Sequence, residues 1–159
     1  MPLVKTQAKV LQVVSATPLT SVYYSGTDNY MSTTLSLQIT PSATTSKIFL
    51  QYSSACHVDA NAGMCITDIY KNPTSSLSAN TEVSGGTIIS GRGASGYGLA
   101  HSYGGSSTTI SSNVGMFLDS PSTTSQITYL VIYRNLSGGN AYFNANNGLA
   151  TFTAMEIGA

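Results

Sequence analysis

Apolar residues recur at every second position in several stretches of this chain. Leu35, Leu37 and Ile39 alternate with Thr34, Ser36 and Gln38. Ile48, Leu50 and Tyr52 fall on one face of the next run, and Ile127, Tyr129, Val131 and Tyr133 share a face further on. A period of two belongs to β-strands, whose side chains point alternately to opposite faces. In the last of these stretches Leu130 and Ile132 make the second face apolar as well, which predicts a central strand covered on both sides. No window longer than a couple of turns repeats with the 3.6 period of a helix. Thr, Ser, Val, Ile, Tyr and Gly dominate instead, and they suit strands and turns.

The pattern predicts strands at 9–15, 20–24, 32–40, 47–57, 64–71, 85–90, 97–103, 110–118, 126–136, 140–146 and 150–157. Turn-forming clusters separate them, at 25–29, 41–46, 59–63, 72–73, 137–140 and 146–148. Asn147-Gly148 is a strong hairpin signal, because both residue types accept a positive φ. Many short strands at this spacing predict an all-β, antiparallel β-sandwich, and a jelly roll with two sheets of about four strands fits the count. Residues 1–8 precede the first strand as a short N-terminal arm, and 9–159 form the sandwich domain. The segment 39–48 and the segment 118–127 echo each other, each joining two strands through a Pro-Ser-Thr loop. In so Ser/Thr-rich a chain, independent origin of two similar turns is the preferred explanation. The stretch from Thr74 to Ser112 is the loosest, rich in Gly, Ser and Thr, and reads as a functional loop, a linker or disorder.

Composition sharpens the picture. The 159 residues make one domain's worth of chain, enough for a core without metal or disulfide staples. Only 8% are charged, against about 25% in ordinary domains, and six basic residues balance six acidic ones. A neutral surface with few charges favours association. Lys5, Lys9, Lys47, Lys71, Arg92 and Arg134 are scattered, so no basic patch for nucleic acid is expected. Met1-Pro2-Leu3-Val4-Lys5 is not followed by a signal-like apolar stretch, and no run approaches the roughly 20 apolar residues of a membrane span. Synthesis and folding in a cytosol are expected, with no membrane partner.

Catalytic chemistry is hard to assemble from these residues. There are two histidines, His57 and His101, and six carboxylates, Asp28, Asp59, Asp68, Glu82, Asp119 and Glu156, with no shared motif. No serine sits in a nucleophile elbow. Gly91-Arg92-Gly93-Ala94-Ser95-Gly96 has the spacing of a dinucleotide-binding loop, but no amphipathic helix follows it, so no nucleotide site is expected. Cys56, His57, Asp59 and Cys65 do not have a zinc-site spacing. If the chain turns near Ala60-Asn61, Cys56 and Cys65 face each other across a hairpin, as packed small hydrophobes or as a disulfide. No cofactor and no metal are expected. Asn135-Leu136-Ser137 is a glycosylation sequon without a secretion signal to make it relevant. Tyr97 and Tyr103, in the Gly-rich segment, are the tyrosines expected at the surface, where they suit protein or glycan contacts.

Lys9-Val10-Leu11-Gln12-Val13-Val14-Ser15 resembles the start of a domain common in structural proteins of tailed bacteriophages. Leu118-Asp119-Ser120-Pro121-Ser122-Thr123-Thr124-Ser125 with the Tyr-rich strand after it, Ala141-Tyr142-Phe143-Asn144, and Phe152-Thr153-Ala154-Met155-Glu156-Ile157 continue the similarity over nearly the whole chain. The resemblance implies a non-enzymatic virion protein, a homotrimer, acting as a capsid decoration (cement) protein or as a tail-fibre head. With only residues 1–8 ahead of the domain, the expectation favours decoration of the major capsid protein shell. Leu3, Val4 and Lys5 are then the capsid-contacting arm, Leu3 and Val4 its apolar anchors. The alternative is a receptor-binding head whose exposed loop residues Arg92, Tyr97 and Tyr103 meet a host glycan. A glycan-cleaving domain is the weakest reading, since glycosidases usually require two carboxylates about 5–10 Å apart and the sequence shows no obvious pair.

Overall fold

Along β4 (Lys47–Val58), Ile48, Leu50, Tyr52, Ser54, Cys56 and Val58 are buried, while the residues between them are half-buried or exposed. This is the sequence alternation made physical: one face of a pleated strand meets the core and the other does not. The computed structural model describes residues 8–17, 21–24, 29–59, 63–91, 96–104, 110–136, 139–145 and 148–158. Among these residues ten further strands accompany β4: β1 (Lys9–Ala16), β2 (Val22–Tyr24), β3 (Met31–Ile39), β5 (Met64–Lys71), β6 (Thr87–Ile88), β7 (Ala100–Tyr103), β8 (Ile110–Asp119), β9 (Ile127–Leu136), β10 (Ala141–Phe143) and β11 (Thr151–Gly158). Each falls within or beside an expected stretch.

The strands form two sheets, and every pairing is antiparallel. The first runs β1-β11-β4-β8, with β10 and then β2 continuing outward from the upper half of β4. The second runs β3-β9-β5-β7, with β6 beside the far end of β5. The first long strand therefore lies beside the last, and the pairs β3–β9, β4–β8 and β5–β7 nest inside it. This is a long hairpin rolled into two facing sheets, the jelly roll. Strand β9, flanked by β3 and β5, is buried on both faces from Tyr129 to Asn135, as its apolar pattern predicts.

The core between the sheets is built on Leu50, Tyr52, Tyr129, Tyr133, Phe143 and Phe152, with Leu35, Ile48 and Ile69 around them. A hydrogen-bond network crosses it. The Tyr52 hydroxyl donates to Thr67 Oγ1 at 2.8 Å, and Asn113 Nδ2 donates to the same oxygen at 3.2 Å and to the Cys65 carbonyl at 3.3 Å. Thr67 in turn donates to the Ala100 carbonyl. Strands β4 and β8 of one sheet are thus tied to β5 and β7 of the other. Gly115 is required here: a Cβ at this position would lie 2.2 Å from the Tyr52 ring.

Three expectations are corrected. Asn147 lies outside the described residues, but the chain around Gly148 does not reverse into a hairpin. Strands β10 and β11 run the same way along the same edge of β4, at Cys56–Val58 and then at Lys47–Ser53. Cys56 and Cys65 are not hairpin partners either, because β4 and β5 enter different sheets. Both are free, fully buried thiols of the core. Their hydrogen bond and the burial around them push the Cys65 thiol well above its ordinary value. The third correction concerns the loosest stretch. Residues 74–91 form a cover over the outer face of the second sheet, where Leu77, Val83 and Ile88 pack on Tyr30, Ile66, Leu130 and Ile132. Backbone bonds from Ser32 N–H to Thr81 and from Val83 N–H to Tyr30 hold it at 2.9 and 3.0 Å.

Candidate interaction surface

Strand β8 breaks the ordinary rule of alternation. Ile110, Ser112, Val114, Met116 and Leu118 occupy one face, and Ser111, Asn113, Gly115, Phe117 and Asp119, with Phe117 as its large apolar member, the other. The pattern by itself places the apolar set in the core. The structure does the opposite: Val114, Met116 and Leu118 are 46%, 59% and 50% exposed, while Asn113, Gly115 and Asp119 are buried. A slip of one residue would exchange the two faces. Three contacts prevent it. Asn113 bonds Thr67 and Cys65, the Tyr52 ring fills the space left by Gly115, and Asp119 accepts from Tyr129 Oη at 2.6 Å and from Lys71 Nζ at 2.9 Å.

The inverted strand completes an apolar row across the first sheet. Register places Val13 beside Met155, Met155 beside Phe49 and Phe49 beside Leu118, so the row spans all four long strands on their outer face. Val10 and Ile157 extend it on one side, where their rung ends at Lys47, and Met116 on the other. The next rungs are polar without being charged: Ser15, Thr153 and Gln51, then Thr151 and Ser53. At the far end of the same face lies an aromatic row, Tyr23–Tyr142–His57–Ile110. The Tyr23 and Tyr142 rings stack at 5.6 Å, and Tyr142 lies 5.1 Å from the His57 ring. Asp59 accepts from Asn140 Nδ2 at 2.6 Å and from Tyr142 Oη at 3.3 Å. The Asn140 bonds hold its carboxyl below the ordinary aspartate range, and burial and Asp59 push the Tyr142 hydroxyl upward.

Both Pro-Ser-Thr loops are crossovers at one end of the sandwich, and each is tied down by a buried carboxylate. Glu156 on β11 accepts from Ser42 N at 2.7 Å, Ser42 Oγ at 2.6 Å and Gln12 Nε2 at 2.6 Å. Burial alone would raise its pKa, but the hydrogen bonds from Ser42 and Gln12 outweigh it and hold the group at about 2. Asp119 anchors the other loop, and Lys47 Nζ reaches Ser120 Oγ at 3.1 Å. Asp68 accepts from the Ile69 N–H at 2.7 Å and from Ser90 Oγ. These carboxylates are held in hydrogen bonds that support the fold.

Of the residues singled out from sequence, Tyr97 and Tyr103 are exposed, as expected, beside and on edge strand β7 of the second sheet. Tyr97 lies 5.4 Å from His101, and Tyr103 is opposite Met64 and Leu136 on one rung. Leu3, Val4, Lys5 and Arg92 lie outside the described residues. Sequence reasoning missed the outer face of the first sheet. Its signal was present, an alternating apolar set at 110–118, but alternation does not say which face is inside.

No protein-family model matches the sequence, and no curated protein does. Two solved structures align with 92% of this chain: the infectious bursal disease virus VP2 subviral particle, with a TM-score of 0.46 and 12% identity, and infectious bursal disease virus Gx strain, with a TM-score of 0.44 and 10% identity. The chain spans 38% and 35% of those two chains. The jelly-roll assignment rests on the strand order of this chain itself.

Proposed function

We propose that this chain is a non-enzymatic virion structural protein, a capsid decoration (cement) protein that binds the major capsid protein shell as a homotrimer and stabilises the particle. The observation that carries the reading is the inverted strand β8 and the four-strand apolar row it completes. Water-exposed apolar area is unfavourable by roughly 25 cal/mol per Å² relative to burial, so a face built this way is stabilised by a partner. Charge is sparse in the long-strand rungs of that face, where Lys47 beside Ile157 is the ionised residue, and this supports a contact that is mainly apolar and hydrogen-bonded. The sequence resemblance to tailed-phage structural proteins supplies the virion setting. The carboxylates tied into the fold support a scaffold role over catalysis.

The second reading is a receptor-binding fibre head. It is favoured by one feature, the exposed Tyr97–His101–Tyr103 group on the edge of the other sheet. Cryo-electron microscopy of purified particles tests both. Copies in trimers all over the shell support decoration. A few copies at the tail tip overturn it in favour of the fibre head, and loss of host adsorption in a Tyr97→Ala/Tyr103→Ala double variant then locates the receptor contact. Absence from particles overturns both.

A further inference from the structure

Exposed sheet edges invite pairing with other chains, and stable monomers blunt them with bulges, short strands, lysines or prolines. Most edges of this sandwich are treated in that way. Strand β1 begins at Lys9 and has a register shift between Val10 and Gln12. Strand β3 has a register shift between Ser32 and Ser36, a positive φ at Thr34, and a bridge to Glu82 over its start. Strands β2, β6 and β7 are three, two and four residues long. Strand β8 is the exception among the described edges. It pairs with β4 through ten consecutive residues without a shift, and its sequence contains no Lys, Arg or Pro. Among the described residues, its backbone forms no ladder on the side away from β4.

We propose that β8 is a self-pairing seam: two copies of the chain join antiparallel, β8 to β8, across a two-fold axis, making one continuous sheet. The inference deepens the assembly reading and rests on it for a self-associated working state. A second copy fits for reasons of charge and pattern. The one ionised side chain of the strand, Asp119, is at its end and already engaged by Lys71 and Tyr129, so self-pairing opposes no free like charges. Directly opposed residues in an antiparallel pair share a face. With the axis near Gly115, Val114 lies against the partner's Met116 and Ser112 against the partner's Leu118, all on the outer face. Val114 and Met116 of the two subunits then form an apolar patch at the seam, between the two copies of the Val13–Leu118 row, and an isologous contact of this kind closes on itself as a dimer. Where the chain is also trimeric, the same seam joins one trimer to the next. Main-chain hydrogen bonds supply the affinity, as in other strand-addition contacts.

The test is hydrogen exchange of the full chain at high and low concentration, with sedimentation velocity on the same samples. A Val114→Lys/Met116→Lys variant is run in parallel, because both side chains are about half exposed and the substitutions leave the core intact. Expected are a species of even stoichiometry, β8 amides that exchange more than about tenfold slower in it than in the dilute protein, and self-association weakened about tenfold or more by the opposed lysines. A protein that stays monomeric, a strictly trimeric protein without even-numbered species, or an assembly whose β8 amides exchange as fast as in dilute protein overturns the proposal. Association unchanged in a folded lysine variant also overturns it. Particle imaging separates this from the broader reading. Trimers on the shell with β8 uncovered would sink the seam and leave decoration standing. Protection of β8 in a protein absent from particles would do the reverse.

Discussion

Replacing Thr67 by Val removes one oxygen from the centre of the sandwich and leaves the shape almost unchanged. That oxygen accepts from Tyr52 Oη at 2.8 Å and from Asn113 Nδ2 at 3.2 Å, and its hydroxyl donates to the Ala100 carbonyl at 3.2 Å. All three side chains are buried. Without the oxygen, Tyr52 loses the partner of its hydroxyl in a site closed to water, a loss of about 1–3 kcal/mol. Asn113 keeps its bond to the Cys65 carbonyl, so its share and that of Ala100 are smaller, and Thr67→Val is expected to destabilise by about 2–4 kcal/mol in all. Tyr52→Phe is expected to lose only about 1 kcal/mol, because Thr67 still serves Asn113 and Ala100. Once the tyrosine hydroxyl is gone, the later loss of the threonine oxygen strands one donor fewer. The double variant is therefore expected to be more stable than the sum of the two single effects by about 1–2 kcal/mol. Equilibrium urea unfolding of the four proteins, with slopes compared to check that the transition itself is unchanged, measures all of this. A Thr67→Val effect below about 0.5 kcal/mol, or strict additivity in the cycle, would refute the claim that this network ties the sheets together.

Three further outcomes are expected. Gly115→Ala should destabilise by about 1–3 kcal/mol or more, since the new methyl meets a Tyr52 ring that the Thr67 bond keeps in place; thermal unfolding measures it. Glu156 has a folded-state pKa near 2 against an ordinary 4.5, so its contribution is fully present above about pH 4.5 and is lost as pH falls toward 2. Glu156→Gln should lower stability at neutral pH and flatten that acid limb, read from denaturation midpoints across the acid range. Phe152→Ala, deleting a fully buried ring between the sheets, should be destabilising by about 3–5 kcal/mol in the same urea assay.

Alternation and turn chemistry were enough to place the eleven strands of the described residues, because both are local properties of the chain. They were enough to recognise β9 as central, since Leu130 and Ile132 leave it no polar face. The scarcity of charge pointed to association before any surface was known, and Tyr97 and Tyr103 read as surface residues from their glycine-rich setting. Tertiary structure decided what local pattern leaves open. Gly148 reads like a reversal but lies where the chain steps along β4, because β4 offers its free edge to β10 and β11 in turn. The polar stretch after Lys71 reads like a loose loop, yet it covers an apolar face that only the assembled second sheet creates. Strand β8 is the clearest case. Its own residues favour the apolar set inside, and the choice is reversed by partners distant in sequence: Tyr52 filling the gap at Gly115, Thr67 and Cys65 receiving Asn113, Lys71 and Tyr129 meeting Asp119. Burial depends on what a residue faces after folding, and the facing residues come from other strands. The sequence by itself therefore determined the elements and their periodicity, while the choice of which apolar surface stays open for a partner belonged to the packing of the two sheets.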